Sequence, residues 1–294
     1  VGWFEKHAPL SLSGHGGWRL SGIVAAALDF MEPFMLTLDE PLLLRTQDAR
    51  GVLTLTLNRP QAFNALSEAL LDALQREWAA IAQDESVRCV ILAGAGKAFC
   101  AGHDLVEMRA EPSMDAYRAL FGQCGQVMQT IARLPVPVIA RVHGVATAAG
   151  CQLVAACDMA VASNKARFAV SGVNLGLFCS TPAVALSRNI GRKAAFEMLA
   201  TGEFISAEQA LDKGLINRVA EPEALDAEIE RLVSVLLTKP RVALAWGKDL
   251  FYRQLEMGVA AAYQAATQTM ACNMMEDATL EGVQAFIEKR KPSW

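Results

Sequence analysis

An α/β fold, a spiral of strand-strand-helix (ββα) units followed by a helical C-terminal region, is what this 294-residue sequence predicts. Two observations carry the prediction: the order strand, strand, helix recurs before Gly191, and after it the apolar spacing is almost wholly helical. A hydrophobic content of 53% with 20% charged residues is enough to bury a large core and lies far from the composition of disordered chains.

Residues 1–34 read as an N-terminal extension, expected to be disordered. They hold SLSGHGGWRLSG and a short apolar run from Ile23 to Leu28, too poor in arginine for a transit peptide and without the early basic region of a secretory signal. A spiral core is expected over residues 35–191. From Pro41 to Asn58, Leu53, Leu55 and Leu57 alternate with threonines behind a turn at Gln47–Gly51, which predicts a hairpin. Leu66, Leu70, Leu74, Trp78 and Ile81 then recur at helical spacing, with Ser67 placed to cap the first turn. Cys89 to Leu92 reads as a strand, followed by a glycine-rich turn, AFCAG, and a helix from Met114 to Leu134 that Pro135 and Pro137 end. A strand over Val138–Val142, a helix over Ala149–Cys157 and a strand over Met159–Ala162 repeat the order. Residues 192–294 are expected to form a helical oligomerisation region, its helices over Lys193–Ala200, Ser206–Lys213, Pro222–Leu237, Pro240–Leu255, Val259–Met275 and Thr279–Lys289. Gln209 completes a capping box with Ser206. The apolar surplus at Leu232, Val233, Val235, Leu236 and Leu237 predicts that another subunit covers part of this region.

Composition also excludes. With 27 Lys+Arg against 31 Asp+Glu the chain has no basic field for nucleic acid. The longest uncharged stretch, between Arg167 and Arg188, is broken by Gly172, Asn174, Gly176 and Pro182, so no membrane span is expected. Seven cysteines without a CxxC pair read as reduced thiols in a reducing compartment. Cys151 and Cys157 are six apart on one predicted helix and do not face a common ligand, so no metal site is expected. No G-x-S-x-G elbow and no P-loop occurs.

Two small-residue segments remain as candidates for chemistry: Ala98 to Leu105 and His143 to Leu153. The second leads into a helix whose first N–H groups have no intrahelical partner and suit developing negative charge. LNRPQAFNALS, VILAGAGKAFCAGHDLVEM, PVIARVHGVATAAGCQLVAACDMAVAS and EGVQAFIEKRKP, in that order, resemble the enoyl-CoA hydratase/isomerase (crotonase) superfamily. The resemblance runs from Leu42 to Trp294 and implies a crotonase (ClpP-like) spiral with a C-terminal helical trimerisation region, assembled as a homo-trimer or hexamer. It implies an acyl-CoA substrate and no prosthetic group, coenzyme A being part of the substrate. By motif position, the backbone N–H groups of His103 and Ala149 form an oxyanion hole.

The resemblance also marks departures. The two glutamates that hold and deprotonate water in a hydratase align with Gln152 and Gly172. A glutamine orients water without taking its proton, and a glycine does neither. A positioned acid or base contributes roughly 100- to 10,000-fold, so simple hydration is expected to be very slow. Cys179, Ser180 and the His103 imidazole are the candidate substitutes. For CoA, Lys289 resembles the C-terminal lysine that meets the phosphates, often from a neighbouring subunit. Ala101, Asp104 and Leu105 border the first oxyanion donor as further CoA-binding candidates, and Val106 stands where the family often has a second lysine. The expectation is an enoyl-CoA hydratase-like enzyme of lyase or isomerase type in fatty acid metabolism. The alternatives are a decarboxylase, isomerase or thioester hydrolase branch, and a non-catalytic acyl-CoA-binding or scaffolding protein. A cytoplasmic location is expected, with the mitochondrial matrix as the alternative.

Overall fold

The computed structural model describes residues 40–294, and the extension expected over residues 1–34 lies outside the described residues. Strands β1 (Leu43–Gln47) and β2 (Val52–Leu57) pair antiparallel. Their turn closes where the Asp48 carboxylate accepts from the N–H groups of Arg50 and Val52. Leu53, Leu55 and Leu57 are wholly buried, as their alternation requires. Helix α1 (Glu68–Gln83) starts at Ser67, whose hydroxyl accepts from Leu70 N–H at 3.2 Å, and it buries Leu70, Leu71, Leu74, Trp78 and Ile81.

The second unit is β3 (Cys89–Gly94), β4 (Ala98–Cys100), the short helix α2 (Leu105–Ala110) and the long helix α3 (Met114–Arg133). The third is β5 (Val138–Val142), β6 (Val145–Thr147) and α4 (Ala149–Ala156), after which β7 (Met159–Ser163) and β8 (Arg167–Ala169) open a fourth. From the second unit on, the first strand joins a six-stranded sheet and the second a four-stranded one. Neighbouring units pair in parallel, β2 with β3, β3 with β5, β5 with β7, and β4 with β6. That stacking is the spiral.

Helices α5 (Ser180–Asn189), α6 (Arg192–Thr201) and α7 (Ala207–Lys213) follow, the last with the expected capping box between Ser206 and Gln209. The sheets run past residue 191, the expected limit of the core. Strand β9 (Ile205–Ser206) pairs with β8, and β10 (Arg218–Ala220) pairs with β7 and closes the larger sheet. Strands of two and three residues are too short to show a period-2 pattern, so helical spacing masks them.

Helices α8 (Leu225–Leu237), α9 (Arg241–Gln254), α10 (Val259–Met274) and α11 (Asp277–Ile287) complete the chain. The apolar face expected to await a subunit on α8 is partly covered from within: Leu232 and Val233 pack with Val52, Cys89, Ile139 and Val161. The uncovered apolar surface lies further on, where Val259 and Met275 are 75% exposed and Phe286 85%. Helix α9 is fastened to the spiral by a buried ion pair between Lys248 Nζ and Asp158 Oδ2 at 2.6 Å.

Candidate active site

The first candidate segment is shaped by a turn after β4. Ala101 N–H donates to Phe63 O, Leu66 N–H to Gly102 O at 2.7 Å, and Asp104 N–H to Leu66 O. His103 lies between these last two bonds, and its own backbone N–H donates to no described residue. In the second segment, β6 ends at Thr147 and α4 begins at Ala149. Ala148, between them, holds φ 51° and ψ −120°, a disfavoured conformation for a residue with a side chain. Its N–H donates to Ala169 O at 3.0 Å, and its carbonyl accepts from Gln152 N–H at 3.1 Å. Ala149 N–H, the first of the helix, donates to no described residue.

The two turns meet. A Cβ at Gly102, which has φ +94°, would stand 2.9 Å from Ala148 Cβ and 3.2 Å from Ala149 N. A Cβ at Gly150 would run into the carbonyl oxygen of Cys100. Only glycine permits this approach at either position, and it brings the His103 and Ala149 turns together.

A buried polar network supports the first turn. Asn64, wholly buried at φ 55°, donates through Nδ2 to Ala95 O and Ala98 O at 2.8 Å and to Phe99 O at 3.2 Å. Its Oδ1 accepts from Arg59 N–H at 2.9 Å. The Arg59 guanidinium donates to Ala65 O and to Asp104 Oδ2 at 2.9 Å, while Asp104 Oδ1 accepts from Val106 N–H and Glu107 N–H at the start of α2. Burial pushes the Asp104 carboxyl upward, but the Arg59 bond and the two backbone N–H groups hold it below the ordinary carboxylate range. Asp104 is thus a loop brace. Arg59 and Asn64 received no role from sequence, although an asparagine between a turn and a helix start is a signal for the left-handed conformation it adopts.

Apart from Asp104, the side chains on these segments are uncharged at neutral pH. The His103 ring stands edge-on to Phe121 at 5.3 Å, its Nε2 is buried without a partner, and burial lowers its pKa from 6.5 to about 4. As an acid or base near neutrality it is poorly matched. An NMR titration of the ring is expected to show a midpoint near 4. Since the folded-state pKa is depressed, its contribution to stability is complete above about pH 6.5 and is lost as pH falls through about 4. A midpoint at 6.5 or higher would mean a solvated ring free to exchange protons.

Gly172 lies in the short helical turn Ser171–Leu175, tied to the second segment by a 2.9 Å bond between Thr147 Oγ1 and Ser171 Oγ. The place of its missing side chain is filled: a Cβ there would stand 2.5 Å from Leu177 O and 2.7 Å from Cys179 Sγ. Any larger residue at 172 requires the loop to move. Cys179 Sγ accepts from Gly172 N–H at 3.3 Å, and burial raises its thiol pKa, so it is a packed thiol and not an activated nucleophile. Ser180 opens α5, and its hydroxyl donates to Phe178 O. Gln152 is only 4% exposed, and its Oε1 has no hydrogen-bond partner.

Of the expected CoA contacts, Leu105 is exposed and Ala101 is half-buried in the first turn. Lys289 lies two residues beyond the end of α11, exposed and at φ 57°, and makes no hydrogen bond to either turn. Among the described residues no group of His, Cys, Asp and Glu has the arrangement to hold a metal ion, and every cysteine is free.

The sequence profile described as enoyl-CoA hydratase/isomerase matches residues 47–294. A solved structure titled enoyl-CoA hydratase from Mycobacterium smegmatis is 67% identical, covering 87% of this chain and 99% of its own, with a TM-score of 0.86. The human enoyl coenzyme A hydratase domain-containing protein 3 structure is 43% identical, covers 86% of this chain and all of its own, and superposes with a TM-score of 0.83. The mouse protein named enoyl-CoA hydratase domain-containing protein 3, mitochondrial, is 46% identical over 87% of this chain and 85% of its own length. The names of such relatives say mitochondrial, which supports the mitochondrial alternative and lends nothing to the cytoplasmic expectation. No described helix is long and apolar enough to cross a membrane.

Proposed function

Because the chain belongs to the enoyl-CoA hydratase/isomerase family and has its crotonase fold, we propose that it binds an acyl-CoA thioester and stabilises the enolate-like state of its carbonyl at the His103 and Ala149 N–H groups. The observation that carries this reading is the pair of unengaged backbone N–H groups on two turns in contact. The thioester oxygen accepts from both, and the start of α4 favours the negative charge that gathers there. Water activation is the weak part. Gln152 cannot take a proton, Gly172 has no side chain, and the Cys179 thiol stays protonated.

The chemistry that fits is a reaction whose barrier falls mainly through the oxyanion hole. In a decarboxylation the bond from the α-carbon to a substrate carboxylate breaks, carbon dioxide leaves, and the electron pair becomes the enolate before a proton returns to carbon. Isomerisation by a substrate-borne base and thioester hydrolysis are the other branches. A non-catalytic acyl-CoA-binding role is favoured by one observation, the loss of both carboxylates at 152 and 172. The exposed apolar residues of α10 and α11 and the segment that links them, among them Val259, Met275 and Phe286, support a trimer or hexamer. In such an assembly a neighbouring subunit's Lys289 is the candidate CoA phosphate contact. A mitochondrial location is the one that the names of the relatives favour.

A mass-spectrometric screen against enoyl-, 3-hydroxyacyl- and malonyl-type CoA thioesters tests the reading. The expected result is binding of CoA esters with little gain of water, and with loss of carbon dioxide or isomerisation as the turnover. Rapid hydration would restore the hydratase assignment; absence of any CoA-ester binding would overturn the proposal.

A further inference from the structure

Strands β6 and β8 run parallel, Val145 beside Arg167 and Thr147 beside Ala169, and there the ladder ends and the two chains part. One continues through Ala148 into α4, the other through Val170 into the helical turn that carries Gly172. Ala148, the first residue past this fork, stands at φ 51° and ψ −120°, a conformation that persists only where its surroundings enforce it. Across the fork runs the 2.9 Å bond between Thr147 Oγ1 and Ser171 Oγ. Among the described residues it is the one side-chain hydrogen bond that joins residues 145–153 to residues 167–175. The loop beyond Ser171 is otherwise tied to itself, Gly172 N–H to Cys179 Sγ, Leu177 N–H to Gly172 O and Gly176 N–H to Val173 O, and to Gly202 O through Asn174 Nδ2.

We infer that Thr147 and Ser171 are positioning residues whose hydroxyl bond braces the fork and so aims the Ala149 N–H, an inference that rests on the oxyanion reading above. Neither hydroxyl acts on the substrate. The direction of the Ala149 N–H is set by the peptide plane between Ala148 and Ala149, and a hydrogen bond weakens steeply as its donor turns away from the acceptor. With the brace in place the strained turn keeps one arrangement. Without it, Ala148 relaxes toward an allowed region, the peptide plane rotates, and the N–H no longer shares an acceptor with the His103 N–H. The fault then lies in polarisation of the thioester carbonyl and not in binding of the ester, a distinction that a chromophoric thioester reads directly.

The probe is p-dimethylaminocinnamoyl-CoA, whose conjugated absorption band moves to the red when hydrogen bonds draw charge onto the thioester oxygen. It is titrated into the full natural protein and into Thr147→Val, Ser171→Ala, the double variant and Thr147→Ser, with circular dichroism of each. The expected result is a red shift in the natural protein that is at least about halved in Thr147→Val and in Ser171→Ala, while affinity stays within about threefold. Thr147→Ser, which keeps the hydroxyl, restores the shift. The double variant loses no more than either single one, because each already breaks the same bond. A full shift in either folded single variant, or losses that add in the double variant, would overturn the inference and leave the oxyanion reading intact. Failure of the natural protein to bind the probe, or binding without a red shift, would overturn the oxyanion reading itself. If Thr147→Val does not fold, Ser171→Ala, which removes one oxygen beyond the end of the strand, decides.

Discussion

An Ala149→Pro protein is expected to lose about 100- to 1,000-fold in turnover of whichever CoA ester the screen identifies, the usual cost of deleting one oxyanion donor. The substitution removes a single N–H that donates to no described residue, so no hydrogen bond of the described fold is lost with it. Proline is also accepted at the first position of a helix. Its one demand is on the preceding residue, which it drives toward extended backbone, whereas Ala148 stands at φ 51°. Circular dichroism and CoA-ester affinity must therefore accompany the kinetics. Replacing Ala149 by lactic acid, which exchanges N–H for an ester oxygen without a ring, is the stricter form of the same test. Undiminished turnover in either folded protein would remove Ala149 from the oxyanion hole.

Asp158→Ala is expected to destabilise the fold by about 3–5 kcal/mol, because it leaves a buried ammonium without its counter-ion. Lys248 and Asp158 side chains are 8% and 11% exposed. Asp158 Oδ2 accepts from Lys248 Nζ and from Val138 N–H, both at 2.6 Å, while Oδ1 accepts from Tyr252 OH at 2.8 Å. Lys248 also donates to Val136 O at 2.9 Å. Burial already draws the Lys248 pKa below the ordinary lysine value, with the neighbouring carboxylate opposing it. Without Asp158 the Tyr252 hydroxyl and the Val138 N–H lose their acceptor, the ammonium keeps only Val136 O, and α9 loses its main polar attachment to the spiral. Urea unfolding followed by far-UV circular dichroism measures the loss. A change below about 1 kcal/mol would mean that water enters this cluster and screens it.

Much of the fold is legible in local pattern. Ser67 capping α1, the Ser206–Gln209 box, the alternation of Leu53, Leu55 and Leu57, and the prolines after α3 each act within a few residues along the chain. Short elements escape that reading. Helix α2 spans Leu105–Ala110 and β9 only Ile205–Ser206, less than a pattern needs to repeat. The candidate site divides in the same way: the motifs marked His103, Ala149, Gln152 and Gly172, but not what surrounds each of them.

By itself the sequence determined the order of the elements, the placement of small residues at two turns, and the absence of carboxylates at 152 and 172. Tertiary structure alone decided that Asn64 ties three carbonyls 31 to 35 residues away, and that Cys179 occupies the space beside Gly172. It also decided that α8 turns Leu232 and Val233 onto the sheet, while apolar side chains such as Val259 and Phe286 stay exposed on the helices after it. The physical reason is range. Capping and periodicity depend on neighbours within a turn or a strand, whereas a buried hydrogen bond or a filled void depends on which distant segment the spiral stacks alongside. The unengaged N–H groups of His103 and Ala149 belong to the second kind, because an N–H stays free only where the whole surrounding fold offers it no acceptor.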